Sequence, residues 1–154
     1  MDALLRNSPW LSAAVLAWLV AQALKMIAST IATRHLDFSR LVDTGGMPSS
    51  HTAFVSALTT SVGLTQGFHS AEFAIVLCFS LIILYDATNL RRSAGYHAQV
   101  LNTIVPQLLK GKVLKPGFES PKLHELLGHT PLEVLVGAML GVLLAVWLFH
   151  KLGI

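Results

Sequence analysis

Three short motifs in this chain carry side chains that suit the binding and transfer of a phosphate group. The first, residues 45–52 (GGMPSSHT), combines turn-forming glycines and a proline with Ser49, Ser50 and His51. Either serine can cap a helix that begins here, and His51 would then lie at the positive end of that helix, where anions bind. Taken alone, the motif also matches an ordinary capped helix start, so its meaning depends on the residues that join it.

The second motif, residues 86–92 (DATNLRR), follows a long apolar run and combines Asp86 with Arg91 and Arg92. Two guanidinium groups suit a phosphate, because each can donate two parallel hydrogen bonds to its oxygens. The simpler interpretation is a cluster of charges at the end of a helix. His97 follows on the same side, and we expect it to be an interfacial residue outside the site.

The third motif, residues 127–133 (LGHTPLE), opens the last apolar segment. Thr130 and Glu133 have the spacing of a capping box, with a proline at the first helical position. His129 and Glu133 are spaced i, i+4, so the carboxylate could hold the imidazole if His129 joins the helix. That contact would fix the tautomer and raise the basicity of a nucleophilic histidine. In the simpler interpretation Glu133 serves only the cap, and both histidines merely donate to loop carbonyls.

Composition places these motifs in a membrane protein. The chain has 154 residues, of which 53% are hydrophobic and 12% charged, and its mean hydropathy is +0.62. Soluble domains carry about twice that charged fraction. The length suits one domain, and the sole cysteine, Cys78, excludes an intramolecular disulfide.

We therefore predict an all-α, polytopic membrane helix bundle that forms a single membrane-embedded domain over residues 1–154. About four transmembrane helices are expected, near 9–32, 50–66, 71–90 and 131–150. Residues 96–109 are amphipathic and too polar to span, which predicts an interfacial or re-entrant helix, and residues 110–128 form a basic loop. Gly137 and Gly141 form a G-x-x-x-G packing face, either inside the protein or between protomers of a homo-oligomer.

Four crossings bring the three motifs to one face of the membrane. The first motif precedes the second helix, the second motif ends the third helix, and the third motif opens the fourth. Lys25 lies about two turns before the end of the first helix, so its stem could carry the ammonium group to the same interface. Two helix N-termini, two histidines, two arginines and a lysine would meet there, which suits a phosphate group at the lipid–water boundary.

The distribution of charge predicts which side of the membrane this is. Most lysines and arginines fall in the loops beside the motifs, and only Arg6 and Lys151 lie on the opposite side. The positive-inside rule makes the motif-bearing side cytoplasmic, and the bacterial cytoplasmic membrane is the expected location.

No cofactor is predicted. His124-Glu125-x-x-x-His129 differs by one position from the zinc-binding H-E-x-x-H spacing, so it does not indicate a metal site. The sequence contains no nucleotide-binding loop, and no pattern in it indicates a nucleic-acid partner.

Two of the motifs resemble those of a known superfamily. Pro48-Ser49-Ser50-His51 resembles the P-S-G-H motif of the type 2 phosphatidic acid phosphatase and vanadium haloperoxidase superfamily, and residues 128–137 (GHTPLEVLVG) resemble its G-x-H-x-x-x-D-V-x-x-G segment. Through GGMPSSHTA, YDATNLRR and LLGHTPLEV, the whole chain is similar to the small divergent bacterial branch of that superfamily. Ser50 stands where the superfamily has glycine, and Leu123 stands where an arginine is expected six residues before the nucleophile.

The resemblance implies metal-independent hydrolysis of a lipid phosphate or polyprenyl (di)phosphate through a phosphohistidine. His129 would take the nucleophile's place, Glu133 would take that of the orienting aspartate, and His51 would protonate the leaving alkoxide. The remaining expected site residues are Ser49, Ser50 and Lys25 on the phosphate, Arg91 or Arg92 in place of the missing arginine, and Gly46 and Asp86 as supports.

Two other functions fit the same sequence. A non-catalytic membrane protein that binds or translocates a phosphorylated lipid would keep the anion site without turnover. A structural helix bundle that assembles through Gly137 and Gly141 would need none of the three motifs. For the enzyme and for the binding protein, the expected partners are a phosphorylated lipid and the bilayer.

Overall fold

The computed structural model describes residues 8–34, 46–111, 122, 123, 125 and 128–153, and every regular element among them is helical. In chain order these are α1 (Pro9–Thr33), α2 (Ser50–Gln66), α3 (Ala71–Tyr85), a π-helical turn (Asp86–Leu90), α4 (Arg91–Lys110) and α5 (Pro131–Leu152). The predicted all-α fold is confirmed. Gly45, residues 35–44 of the charged loop, residues 112–121 of the basic loop, Arg6 and His124 lie outside the described residues.

The helices form a membrane bundle around α2. Three stretches are long and apolar enough to cross a membrane, namely Pro9–Ile31, Ala71–Leu109 and Pro131–Leu152. α2 has 17 residues and is not one of these stretches. It contacts α1, α3 and α5, and α1 also packs on α5. The predicted helical membrane bundle is therefore confirmed, with α2 at its centre.

Glycines on α5 allow α2 to take this central place. A Cβ on Gly137 would collide with the carbonyl of Ser49, and a Cβ on Gly141 would collide with the carbonyl of Ala53. Small residues at a helix interface let two backbones approach closely, which is how helices associate in lipid. The G-x-x-x-G face thus packs inside the protein, and a contact between protomers through it would require α2 to be displaced.

α1 runs antiparallel to α2, whereas α5 runs parallel to it, and these directions decide which helix ends meet. The start of α1 lies beside the end of α2, since the indole N–H of Trp10 donates to the hydroxyl of Thr65 across 2.6 Å. At the opposite end, backbone hydrogen bonds join the start of α2 to α5, and the segment before α5 to the π-helical turn. The three motifs therefore share one end of the bundle.

The amphipathic segment differs from its predicted form. It begins at Arg91 and continues directly from α3 through the π-helical turn, so residues 71–110 form one uninterrupted helix. The connecting sequence DATNL contains neither proline nor glycine, so nothing in it stops the helix. At 1.5 Å per residue the helix is about 60 Å long, about twice the thickness of the bilayer's hydrocarbon core.

Candidate active site

His129 is held by its backbone between α3 and α5. Its N–H donates to the carbonyl of Ala87, in the π-helical turn, across 2.9 Å. Gly128, directly before it, has a φ of 86° and lies so close to the backbone of Arg91 and Arg92 that any Cβ would collide there. Glycine alone meets both demands without strain. The His129 side chain is buried, so its position is set by these neighbours.

Glu133 orients the imidazole while it caps α5. Its Oε2 lies 2.9 Å from Nδ1 of His129 and accepts the Thr130 N–H across 3.2 Å, while the Thr130 hydroxyl accepts the Glu133 N–H across 3.3 Å. His129 lies one residue before the N-cap, outside the helix, so the predicted contact forms because the capping box turns the carboxylate back over the first turn. The same oxygen, Oε2 of Glu133, therefore takes part in the cap of α5 and also orients the His129 imidazole. Because Nδ1 is engaged, Nε2 is the ring nitrogen left for chemistry.

Ser49 and Ser50 are buried at the start of α2. The N–H of Ser49 donates to the carbonyl of Glu133 across 3.2 Å, and its hydroxyl accepts from the hydroxyl of Thr52 across 2.9 Å. Ser49 occupies the N-cap position, but its side chain makes no capping hydrogen bond to the helix. Its side chain therefore leaves the first-turn N–H groups of α2 for another acceptor, and such groups bind anions.

His51 lies in the first turn of α2, outside the three candidate membrane spans. Partial burial, and then the electrostatic effects of Arg91, His129 and Lys25, lower the pKa of His51 below its usual value. These three residues therefore act on His51, as expected if the three motifs share one face. A bound phosphate would offset the positive charges and favour the protonated imidazole of His51.

Lys25 is buried at the same end of the bundle, with only 5% of its surface exposed. Its stem packs on Gly46, where an added Cβ would lie 3.2 Å from the lysine Cε. Gly46 also has a φ of 99°, which disfavours any other residue. The absence of a side chain at Gly46 thus leaves the space that the lysine stem occupies.

The two candidate arginines take different positions. Nε of Arg91 donates to Oδ2 of Asp86 across 2.6 Å, and Arg91 is the arginine whose charge acts on His51. The guanidinium of Arg92 instead donates to the hydroxyl of Tyr96 across 3.2 Å and lies 5.8 Å from the centroid of its ring. The geometry favours Arg91, positioned by Asp86, as the guanidinium of the site.

An apolar groove of about 350 Å³ adjoins the site where His51 lies. The side chains that line it with His51 are Val15, Trp18, Phe54, Val55 and Ile83. His129 is not among its lining residues. The groove therefore borders His51 and does not enclose both histidines.

Sequence reasoning missed three groups that build the site. The Ala87 carbonyl has no side-chain signature, and its role depends on the π-helical turn. Thr52 stands next to His51, but nothing in its spacing indicates a bond to Ser49. Gly128 could have been singled out, because a glycine directly before a histidine and a capping box suggests a position with positive φ.

Among the residues that the structure describes, the other titratable side chains add no metal centre to this site. His97 is exposed on α4. Within the ranges that the structure describes, no group of three or more His, Cys, Asp or Glu side chains could hold a metal ion.

Comparison with known proteins identifies relatives of the whole chain. The family model described as "Divergent PAP2 family" matches residues 6–144. The uncharacterized membrane protein YuiD of Bacillus subtilis (strain 168) is 41% identical over 154 residues, an alignment that covers 96% of this chain and 97% of that protein. No solved structure gives a significant match.

Proposed function

This chain is an integral membrane protein of the divergent PAP2 family, and on that premise we propose that it hydrolyses a lipid phosphate or polyprenyl (di)phosphate through a phosphohistidine. The observation that carries the proposal is the contact of 2.9 Å between Nδ1 of a buried His129 and Oε2 of Glu133. A carboxylate on one ring nitrogen prepares the other nitrogen to act as a nucleophile. His51, on which His129 acts electrostatically, supplies the second group that the reaction needs.

In the first step, Nε2 of His129 attacks the phosphorus atom while the bond from phosphorus to the lipid oxygen breaks. Protonated His51 gives its proton to that oxygen, which leaves as an alcohol, or as a monophosphate when the substrate is a diphosphate. Glu133 stabilises the positive charge that the imidazole acquires as the N–P bond forms.

In the second step, water attacks the phosphohistidine and the N–P bond breaks. His51, now neutral, accepts a proton from that water, and His129 regains its lone pair. Inorganic phosphate leaves, and His51 is again protonated for the next turnover.

Positive charge and backbone N–H groups would stabilise the transferred phosphoryl group. Lys25 and Arg91 both act electrostatically on His51, so both would favour an anion bound there. The first-turn N–H groups of α2 add donors that are already oriented. This division of labour suits phosphoryl transfer, in which positioning and charge stabilisation provide most of the catalysis.

The proposal is tested with purified protein in detergent micelles or nanodiscs. We expect release of phosphate from a panel of lipid phosphates and polyprenyl phosphates in the presence of EDTA, and loss of at least about 1,000-fold in the His129→Ala variant. Rapid acid-free quenching should trap an acid-labile phosphoenzyme in the wild type alone. If the wild type and the His129→Ala variant are equally inactive on every substrate of the panel, the proposal that the protein is an enzyme is wrong.

A second function is favoured by the charge of the site. Asp86 neutralises part of the charge of Arg91 across 2.6 Å, Arg92 is held on Tyr96, and Leu123 occupies the place of the superfamily's arginine. Such a site could bind or translocate a phosphorylated lipid without hydrolysing it. Saturable binding of farnesyl phosphate that Arg91→Gln weakens, together with no phosphate release by the wild type, would establish this function.

We also propose that the site faces the cytoplasm, in a bacterial cytoplasmic membrane. Arg34, Arg91 and Arg92 lie at the site's end of the bundle and Lys151 at the other. In a Cys78→Ser background, a cysteine at Gly111 should react with a membrane-impermeant maleimide only after cells are opened. A cysteine at Lys151 should react in intact spheroplasts, and the reverse pattern would invert the orientation.

A further inference from the structure

The groove beside His51 runs between α1 and α3, and α2 forms its floor. Five of its six lining side chains are apolar, and His51 is the polar exception. Two of the apolar ones, Trp18 and Phe54, are aromatic. The groove therefore joins the polar end of the bundle, where a phosphate would bind, to the hydrocarbon region.

The groove is open toward the lipid. Val15, Trp18 and Ile83 line it and remain 41%, 37% and 37% exposed, and they belong to two helices that are candidate membrane spans. A concave apolar surface that faces a bilayer is occupied by hydrocarbon, because water has no polar partners there. The occupant is thus a chain of a lipid.

We propose that this groove holds one hydrocarbon chain of the phosphorylated lipid, and that the site therefore prefers a phosphate on a single prenyl or alkyl chain over one on a two-chain glycerolipid. The inference rests on the proposed function for the phosphate at His51, and it adds the shape of the lipid. At about 30 Å³ for each methylene-sized group, 350 Å³ holds about a dozen such groups. That is a segment of one chain, so a second chain of similar length would have to lie outside.

The groove would act by placing the chain, not by attracting it. A chain gains little free energy when it moves from lipid tails to apolar side chains, because both surroundings are equally apolar. Holding the first carbons of the chain along α2 instead fixes the distance from the phosphorus atom to the histidines. A fixed position of the reacting atoms accelerates the reaction. We therefore expect substitutions in the groove to change the choice among substrates more than the partition of lipid into the membrane.

A matched pair of substitutions tests this choice. Val15 lines the groove and is 41% exposed, whereas Val142 lies on α5 and is 40% exposed without lining the groove. In Val15→Phe, the ratio of kcat/KM for farnesyl phosphate to kcat/KM for p-nitrophenyl phosphate should fall at least fivefold. In Val142→Phe it should change less than twofold. An unchanged ratio in Val15→Phe, or an equal fall in both variants, would overturn the proposal.

The preference for one chain is read from the wild type. Farnesyl phosphate should be hydrolysed with at least a tenfold higher kcat/KM than dioleoyl phosphatidic acid at equal mole fraction in mixed micelles. Equal values, or a preference for phosphatidic acid, would contradict the single-chain inference.

A binding measurement separates this inference from the proposed hydrolysis. In the His129→Ala variant, an alkyl phosphate brominated near the middle of its chain should quench tryptophan fluorescence more than the brominated alcohol does. Replacement of Trp18 by phenylalanine in the same background should abolish that difference. Equal quenching by phosphate and alcohol would mean annular lipid only and would overturn the inference. If quenching depends on the phosphate while the wild type is inactive, the inference about the groove is supported and the proposed hydrolysis is wrong.

Discussion

The backbone N–H of His129 donates to the carbonyl of Ala87 across 2.9 Å, and this bond ties the candidate nucleophile to the π-helical turn. π-Helical turns are rare and are often found at functional sites. Here the turn presents a carbonyl to a residue that is distant in the chain. Arg91 directly follows the turn, so the turn positions two residues of the candidate site at once.

The carboxylate of Glu133 should matter through its charge more than through its cap. We expect Glu133→Gln to lower kcat at least about 100-fold, because a neutral amide cannot stabilise the imidazolium that forms on His129. Thermal unfolding should change little, because the amide can still accept the Thr130 N–H. Glu72→Gln, in the first turn of α3, is the matched control and should keep full activity. Activity in Glu133→Gln within threefold of the wild type would contradict the assigned role.

Gly128 and Gly153 offer a controlled comparison of strain and collision. Both have positive φ, 86° and 70°, but a Cβ on Gly128 would collide with the backbone of Arg91 and Arg92, whereas nothing lies within 4 Å of one on Gly153. Each alanine variant should lose about 1–2 kcal/mol of unfolding free energy from its backbone conformation. Gly128→Ala alone should also lose at least tenfold in kcat/KM, because His129 must shift. Full activity in both variants would show that the approach of Gly128 to α4 does not position the nucleophile.

The two neighbouring arginines should differ in their effect on phosphoryl transfer. Arg91→Gln should lower kcat/KM by about 100-fold, as the loss of a group that stabilises transition-state charge does. Arg92→Gln should lower it much less, because its guanidinium is held on Tyr96. Phosphate release from farnesyl phosphate by both variants provides the comparison. A larger loss in Arg92→Gln would reverse the assignment.

The pH dependence should reveal His51 as the acid. Burial and nearby cations lower its pKa, so the protonated form of the free protein is lost as pH rises through a value below the usual pKa of histidine. For farnesyl phosphate, kcat/KM should therefore fall with rising pH. Arg91→Gln removes a cation that lowers this pKa, so it should move the fall to higher pH. Ionisation of the substrate phosphate is common to both proteins and cancels in the comparison.

Controls on the leaving group and on His51 itself complete that test. p-Nitrophenolate needs no proton to leave, so the fall attributed to His51 should be absent with p-nitrophenyl phosphate. His51→Asn should also remove it for farnesyl phosphate. If the profile in His51→Asn keeps the wild-type shape, another group donates the proton.

Much of the architecture could be predicted because it follows from the order of apolar and polar segments. Successive helices that reverse direction bring the start of α2, the end of α3 and the start of α5 to one end of the bundle whatever the details of packing. The contact of His129 with Glu133 was likewise expected from the spacing. The way in which this contact forms was not expected, because His129 stays outside the helix and the capping box turns the Glu133 carboxylate back toward it.

The choice between Arg91 and Arg92 could not be made from the sequence. Adjacent residues on a helix point about 100° apart, and a π-helical turn changes the phase of everything that follows it. The residues of Asp86–Leu90 do not indicate such a turn, because none of them is excluded from an ordinary α-helix. The groove was invisible for a related reason, since its lining residues come from three helices and share no pattern along the chain.

The uninterrupted helix of α3, the π-helical turn and α4 has a mechanical consequence. Residues 91–110 form an arm about 30 Å long beyond the point where Ala87 holds His129, so a tilt of about 10° about that point would move its far end by about 5 Å. Conversely, a large displacement of the far end of α4 would produce only a small rotation near Ala87. A molecule that binds the far end of α4 could therefore change the orientation of the His129 imidazole by a small angle without contacting it.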